Sequence, residues 1–224
     1  MISLRAGSLT AGSRTDALRE ALRPAAKRAM DIMGAAAMLA VLAIPFAILA
    51  LLVRADGGPA LFAHRRIGRG GWSFGCLKFR SMVPDAEARL AALLASDPEA
   101  RAEWDATRKL KRDPRVTRIG AFLRKTSLDE LPQLINVLRG EMSLVGPRPV
   151  TATELDTYYG AAAGHYQTVR PGITGLWQVS GRNDVSYARR VAMDVAYVTQ
   201  PSLVQDIRLL LMTPAVIIFR RGAY

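Results

Sequence analysis

Two adjacent carboxylates, Asp129 and Glu130, stand in the densest chemical signal of the sequence, the run from Arg124 through Ser127-Leu128-Asp129-Glu130-Leu131-Pro132-Gln133 to Leu134. Leu131, Leu134, Ile135 and Leu138 recur at helical spacing, so a helix with one buried face is predicted to begin near the pair. Ser127 and Glu130 have the spacing of a capping box. Pro132, comfortable only in a first turn, instead moves the predicted N-cap to Asp129 or nearby. Either placement puts both carboxylates at the positive end of a helix, which favours their ionised forms. An ionised carboxylate is a usable nucleophile toward phosphorus once cations neutralise the phosphate, and a neighbouring carboxylate can hold the divalent metal that does so. Acidic pairs also start helices for purely structural reasons, and the spacing alone leaves both readings open.

Several elements must position this pair. Ile32 to Val53 is an uncharged, mainly apolar run of 22 residues, which as a helix reaches about 33 Å against a hydrocarbon core of about 30 Å. A cleaved signal peptide and a buried core helix are the plainer readings, but the run is too long for the apolar core of a signal peptide and follows a polar stretch. Both flanks are basic: Arg19, Arg23, Lys27 and Arg28 precede it, and Arg54, Arg65, Arg66 and Arg69 follow it. A spanning helix should carry more Lys and Arg on one flank, and Pro45 predicts a bend. A re-entrant hairpin satisfies both observations; a proline-kinked spanning helix is the other reading. Ala60–Ile67 and Ser73–Ser81 read as strands of a β-hairpin around the turn Gly68-Arg69-Gly70-Gly71. Pro84 to Lys111 reads as helical, with Pro84 and Pro98 suited to first turns and Asp97 to an N-cap. Residues 101–125 carry nine basic and three acidic side chains, a pattern open to a solvated helix face, membrane-surface contact or phosphate binding. The uncharged run Leu209–Phe219, interrupted by Pro214, is too short to span and reads as an interfacial helix or a core helix.

Composition narrows the partners. With 31 Lys+Arg against 19 Asp+Glu, the 224-residue chain carries a formal charge of +12, which favours anionic partners: nucleic acid, acidic headgroups or phosphorylated substrates. No basic and aromatic stacking platform is visible and a nucleic-acid protein needs no membrane segment, so nucleic acid is not an expected partner. A single cysteine, Cys76, excludes an internal disulfide and a Cys-cluster zinc site, and His64 and His165 lie far apart in sequence.

The order of motifs is more specific than any one of them. Lys27-Arg28-x-x-Asp31 precedes the proline-broken apolar run, followed by Lys78-Phe79-Arg80-Ser81-Met82, the Ser127–Gln133 motif, Met142-Ser143-x-Val145-Gly146-Pro147-Arg148-Pro149, and Arg170-Pro171-Gly172-Ile173-Thr174-Gly175 through Gly181-Arg182-Asn183. From about residue 25 onward the chain resembles the bacterial sugar transferase family, the monotopic phosphoglycosyl transferases that start exopolysaccharide, O-antigen and glycoconjugate assembly. The resemblance implies a mainly α fold with a small β-hairpin, in a monotopic membrane protein with a re-entrant helix and interfacial amphipathic helices. It divides the chain into a tail (1–24), a re-entrant membrane helix (25–56) and a cytosolic catalytic domain (57–224) ending in an interfacial helix. The expected location is the bacterial inner membrane, with the catalytic domain on its cytosolic face.

By resemblance, Asp129 attacks the β-phosphate of a UDP-sugar and releases UMP, and undecaprenyl phosphate then attacks the aspartyl phosphosugar. Glu130 binds Mg²⁺. Arg124, Arg148 and Arg170 are candidates for phosphate and uridine contacts, the last two fixed by flanking prolines. Lys78, Arg182, Asn183 and Asp194 complete the substrate-binding candidates. Each has a plainer reading: headgroup contact for Lys78 and Arg80, loop structure for Arg182 and Asn183, and an ion pair with a nearby arginine for Asp194, which with Tyr197 matches the family's Asp-x-x-Tyr pattern. Membrane phospholipids, a second copy and other glycan-assembly proteins are the remaining expected partners. Larger members carry a multi-span region before the catalytic part, so the minimal form is expected here. Ile44 stands where some members have serine before the membrane proline. The ending Arg220–Tyr224 resembles members that use UDP-glucose or UDP-galactose. A membrane scaffold without catalysis is the alternative, and it leaves Asp129, Glu130 and the proline-fixed arginines without a purpose.

Overall fold

A computed structural model of the chain describes residues 11–55, 57–107, 110–181 and 185–218. It begins with α1 (Ala11–Val41) and α2 (Ala43–Arg54). Measured from Ala21, the two are bent by 68°. Pro45 is the cause: it lacks the N–H that would bond the Val41 carbonyl, and its ring crowds that carbonyl four residues back. The bend therefore falls at Leu42, ahead of the proline, and bonding resumes from Phe46 N–H to Leu42 O at 2.8 Å. No single helix among the described residues is long and apolar enough to cross a membrane, whereas this bent pair meets the criterion jointly. Leu49 and Val53 of α2 pack inward on Phe79 and Leu123. Ile44 and Leu51 point away, 74% and 69% exposed, and such contiguous apolar faces mark contacts with lipid or protein.

The hairpin forms as the alternation predicts, with β1 (Leu61–Ile67) antiparallel to β2 (Ser73–Phe79) and Leu61 opposite Phe79. β2 stops short of the predicted Ser81, whose carbonyl instead accepts from Thr117 N–H at 3.1 Å. The next stretch divides into α3 (Ala86–Ser96) and α4 (Pro98–Thr107). Asp97 caps α4 as expected, accepting from the N–H groups of Glu99 and Ala100, while Pro84 lies ahead of α3 rather than in its first turn. Thr117 caps α5 (Arg118–Thr126), accepting from Gly120 N–H at 2.9 Å. A β-carbon at residue 120 would sit 2.0 Å from Ser81 O, so only glycine lets α5 lie against the chain leaving β2.

α6 (Gln133–Arg139) starts later than the sequence suggested. Ser127, in the left-handed conformation at φ 58°, ends α5, and Leu128–Glu130 form a separate 3-10 turn. Pro132 then precedes α6, so Asp129 and Glu130 occupy a connector between two helices rather than the first turn of one. A second sheet was not foreseen: β3 (Ser143–Val145) runs parallel to β4 (Gly172–Thr174), each three residues long and too short to register as an alternating pattern. Their contact depends on Gly172, where a β-carbon would lie 2.1 Å from Gly146 N. Between and after them come α7 (Ala152–Glu154), α8 (Ala163–Gln167), α9 (Leu176–Val179), α10 (Tyr187–Thr199) and α11 (Leu203–Ile218). The expected mainly helical fold with a small hairpin is what forms, with this parallel pair added.

One core joins α1, β2, α6, β3, α10 and α11 through Ala35, Cys76, Leu134, Val137, Met142, Leu144, Tyr197 and Leu209. The Lys27-Arg28-x-x-Asp31 motif ties it together. Buried Asp31 accepts from Lys27, Ser143 Oγ and Leu144 N–H, each at 3.0 Å, and Lys27 also pairs with Asp206 at 3.3 Å. Asp206 in turn accepts from Tyr197 Oη at 2.7 Å. α11 continues through Pro214, burying Leu209 and exposing Val204, Ile207 and Leu211.

Candidate active site

Lys78, next to the end of β2, reaches the carboxylate turn. Its Nζ lies 2.7 Å from Glu130 Oε1 and 3.9 Å from Asp129 Oδ2. Arg148, just past β3 in the Gly146-Pro147-Arg148-Pro149 run, brings Nη2 to 3.3 Å from the same Glu130 oxygen. Asn136 sets the depth of this arrangement. Wholly buried on α6, it accepts from Leu77 N–H at 2.9 Å and donates to Gly75 O at 2.8 Å and Glu141 Oε2 at 2.6 Å. It thereby locks α6 to the strand residue beside Lys78.

The pair is electrostatically divided. Burial raises the pKa of Glu130, but the charges and hydrogen bonds of Arg148 and Lys78 overcome it and hold the carboxyl at about 2. Asp129 moves the other way: burial and the adjacent Glu130 charge raise it, with Lys78, Arg124 and Arg148 only partly offsetting them. Neighbouring carboxylates pushed apart in this manner are suited to different roles. Glu130 is a permanent anion, and Asp129 is the more basic and therefore more nucleophilic group.

Of the sequence-predicted residues, Lys78, Arg124, Asp129, Glu130 and Arg148 come together. Arg124 lies on the exposed side of α5, donates Nε to Ser81 Oγ at 2.9 Å and acts on Asp129 through its charge. Arg170 goes elsewhere, donating Nε to Gly140 O at 2.7 Å beyond the far end of α6. Asp194 is buried under Tyr159, whose Oη donates to it at 2.7 Å, and it also accepts from Trp177. Its partners are aromatic hydroxyl and indole groups rather than the arginine considered from sequence. Arg80 is buried, donating to the carbonyls of Val53, Pro59 and Met82, so it clamps the exit of α2 instead of reaching lipid. Arg182, Asn183 and the Arg220–Tyr224 ending lie outside the described residues.

Arg66, Cys76, Gln133, Pro149 and Ile173 line the same recess as Lys78, Glu130 and Arg148. Arg66 enters from β1 and pairs with Glu154 at 2.7 Å. The hairpin register signals it: Arg66 opposes Phe74, which shares a strand face with Cys76 and Lys78. Buried Gln133 has no comparable signal.

The recess suits a hard cation completed by substrate. Mg²⁺ uses one or two carboxylates, with phosphate and water filling its octahedron. Lys78 and Arg148 both contact Oε1 of Glu130, and its Oε2 has no protein donor among the described residues. No group of three or more His, Cys, Asp or Glu side chains that could hold a metal ion occurs among the described residues, so an ion here would need ligands from a bound phosphate.

Comparison with known proteins gives one consistent result. The family model described as "Bacterial sugar transferase" matches residues 22–220. Over 198 residues the chain is 55% identical to the UDP-galactose-lipid carrier transferase of Erwinia amylovora, covering 88% of this chain and 41% of that protein. It is 53% identical over 199 residues to the undecaprenyl-phosphate galactose phosphotransferase of Salmonella typhimurium, covering 88% and 41%. The exopolysaccharide production protein ExoY of Rhizobium meliloti is 51% identical over 200 residues, covering 89% and 88%. The chain thus spans about two fifths of the Erwinia and Salmonella proteins and most of ExoY.

Proposed function

The chain belongs to the bacterial sugar transferase family, and from that premise we propose that it moves a hexose-1-phosphate from UDP-galactose or UDP-glucose onto undecaprenyl phosphate, the first membrane step of exopolysaccharide or glycoconjugate assembly. The names of the Erwinia and Salmonella relatives support galactose. The bent helix pair with its exposed apolar face supports a re-entrant membrane anchor, and we place the catalytic domain on the cytosolic side by the family resemblance alone.

The observation that carries the reading is the cation clamp on Glu130 beside a more basic Asp129. In the first half-reaction the Asp129 carboxylate attacks the β-phosphorus. The bond from that phosphorus to the bridging oxygen breaks, and UMP departs with the oxygen and its electron pair. In the second, an oxygen of the polyprenyl phosphate attacks the same phosphorus and expels the Asp129 carboxylate, leaving a polyprenyl diphosphosugar. Both steps demand positioning and charge neutralisation more than proton transfer. Lys78 and Arg148 supply fixed positive charge, and Arg124 adds a fork reaching from α5. Glu130 is the residue that would hold Mg²⁺, whose charge neutralises the diphosphate and stabilises the leaving group.

The test is UMP release by the purified chain from UDP-galactose, UDP-glucose and other UDP-sugars, with polyprenyl phosphate present. One of the two named donors should turn over, chelation should abolish it, and Glu130→Gln should be nearly inactive. Full turnover in chelator would remove Glu130 from metal binding, a fully active Asp129→Asn would remove Asp129 as the nucleophile, and no UMP release from any of the UDP-sugars would overturn the enzyme reading in favour of a scaffold.

A further inference from the structure

Away from the carboxylate recess, two guanidinium groups meet where α6 ends, and a third, that of Arg69, is near enough for its charge to act on Arg170. Arg28 on α1 donates to the carbonyls of Val137 and Leu138 at 2.6 and 3.0 Å. Arg170, just before β4, donates to Gly140 O. Arg69 belongs to the hairpin turn, whose Gly71 points the position of a β-carbon to within 3.5 Å of Gln167 on α8, three residues ahead of Arg170. The charges that act on Arg170 are Arg28, Arg69 and, with opposite sign, Asp31, while Asp129 and Glu130 are not among them.

Helix capping accounts for only part of this cluster. A helix C-terminus carries about half a negative charge, less than one of the three cations. Asp31 is already engaged by Lys27, Ser143 and Leu144. Burial, then the charges of Arg28 and Arg69, hold the Arg170 pKa below its ordinary value, with Asp31 only partly offsetting them. Arg170 keeps both Nη groups without a partner among the described residues, and Arg69 makes no hydrogen bond or ion pair with them. Forked N–H donors with surplus positive charge are the chemistry of phosphate recognition.

Depth identifies the kind of phosphate. Arg28 precedes Ile32, the first residue of the apolar run, by four positions, about 6 Å along a helix. The headgroup layer is about 5–8 Å thick. Trp72, 82% exposed, directly follows the Arg69–Gly71 turn, and tryptophan favours that layer. We propose that Arg28, Arg69 and Arg170 form a binding site for the phosphate of an anionic lipid headgroup, separate from the Asp129–Glu130 recess. The site rests on the membrane reading above.

Trp72 supplies a reporter. The full chain is placed in phosphatidylcholine nanodiscs containing either brominated phosphatidylglycerol or brominated phosphatidylcholine at the same mole fraction, and tryptophan quenching is compared. The anionic lipid should show a preference of about fivefold, the size of one cation–headgroup contact. Arg69→Glu should abolish this preference, Arg69→Lys should retain it, and Trp72→Phe should remove the quenching in excess of that reported by Trp104 and Trp177. Equal quenching by the two lipids in the wild type, or a preference unchanged by Arg69→Glu, overturns the site. Relief of quenching by trace polyprenyl phosphate assigns the site to the acceptor, and no relief assigns it to bulk phospholipid. Relief by inorganic phosphate overturns the lipid assignment. UMP release by the wild type in the same discs reports the transferase reading independently, so the two failures are separable.

Discussion

Lys78 touches one carboxylate at 2.7 Å and stands 3.9 Å from the other, so removing its charge perturbs Asp129 and Glu130 together. In the proposed mechanism Asp129 must be ionised to attack, and its pKa is already raised by burial and by Glu130. Lys78→Met should therefore shift the acid limb of the kcat/KM profile to higher pH. It should also lower kcat about a hundredfold, as losing one electrostatic donor does. An unmoved acid limb in a folded variant would show that Lys78 does not govern Asp129. The acidic pair itself was legible because two adjacent carboxylates in a motif stand out. The division of labour within it was not, since it depends on which oxygen Lys78 and Arg148 reach across 52 and 18 residues of chain. Arg170 illustrates the opposite failure: its proline neighbours promised a fixed arginine but could not tell that it faces the far end of α6.

At the scale of elements, Asp194 joins α10 to the Tyr159 turn and to α9. Burial pushes its carboxyl up to about 7, against an ordinary value of 3.8. Between these values the folded chain holds a proton that the unfolded chain has lost, so stability falls as pH rises through this window and levels off above it. A single such group gives a slope of up to ~1.4 kcal/mol per pH unit. Thermal unfolding followed from about pH 5 to 8 should show this decline in the wild type and lose that component in Asp194→Asn, whose amide oxygen still accepts from Tyr159. An identical slope in both proteins would exclude Asp194 as its source. The sequence showed which stretches become hairpin and helix, because hydrophobic period and turn residues are local. It hid the start of α6, where a left-handed Ser127 inserts a turn, and the β3–β4 pairing, made by glycine backbones 26 residues apart in Gly146 and Gly172.

For the molecule as a whole, the break between α1 and α2 decides the topology of the proposed membrane anchor. Pro45 and the two basic flanks made a bend legible from sequence, and its 68° angle is the structural counterpart. A re-entrant pair returns both flanks to one side. Single cysteines placed before Lys27 and after Arg54, in a background lacking the buried Cys76, should both react with an impermeant reagent added from the cytosolic side. Labelling from opposite sides would replace the re-entrant anchor with a spanning one. Close approaches such as Gly120 against Ser81 O were invisible beforehand, since a glycine's neighbour is a property of the assembled molecule.

The central claim is the proposed pair of half-reactions, separated in time by storing the phosphosugar on Asp129. With UDP-sugar and no polyprenyl phosphate, the enzyme should release UMP only up to its own molar amount. Mass spectrometry after mild quenching should then find one hexose phosphate on the peptide containing Asp129, and none in Asp129→Asn. UMP release that requires the lipid acceptor, with no adduct on that peptide, would contradict the account and make the transfer a direct one in a ternary complex.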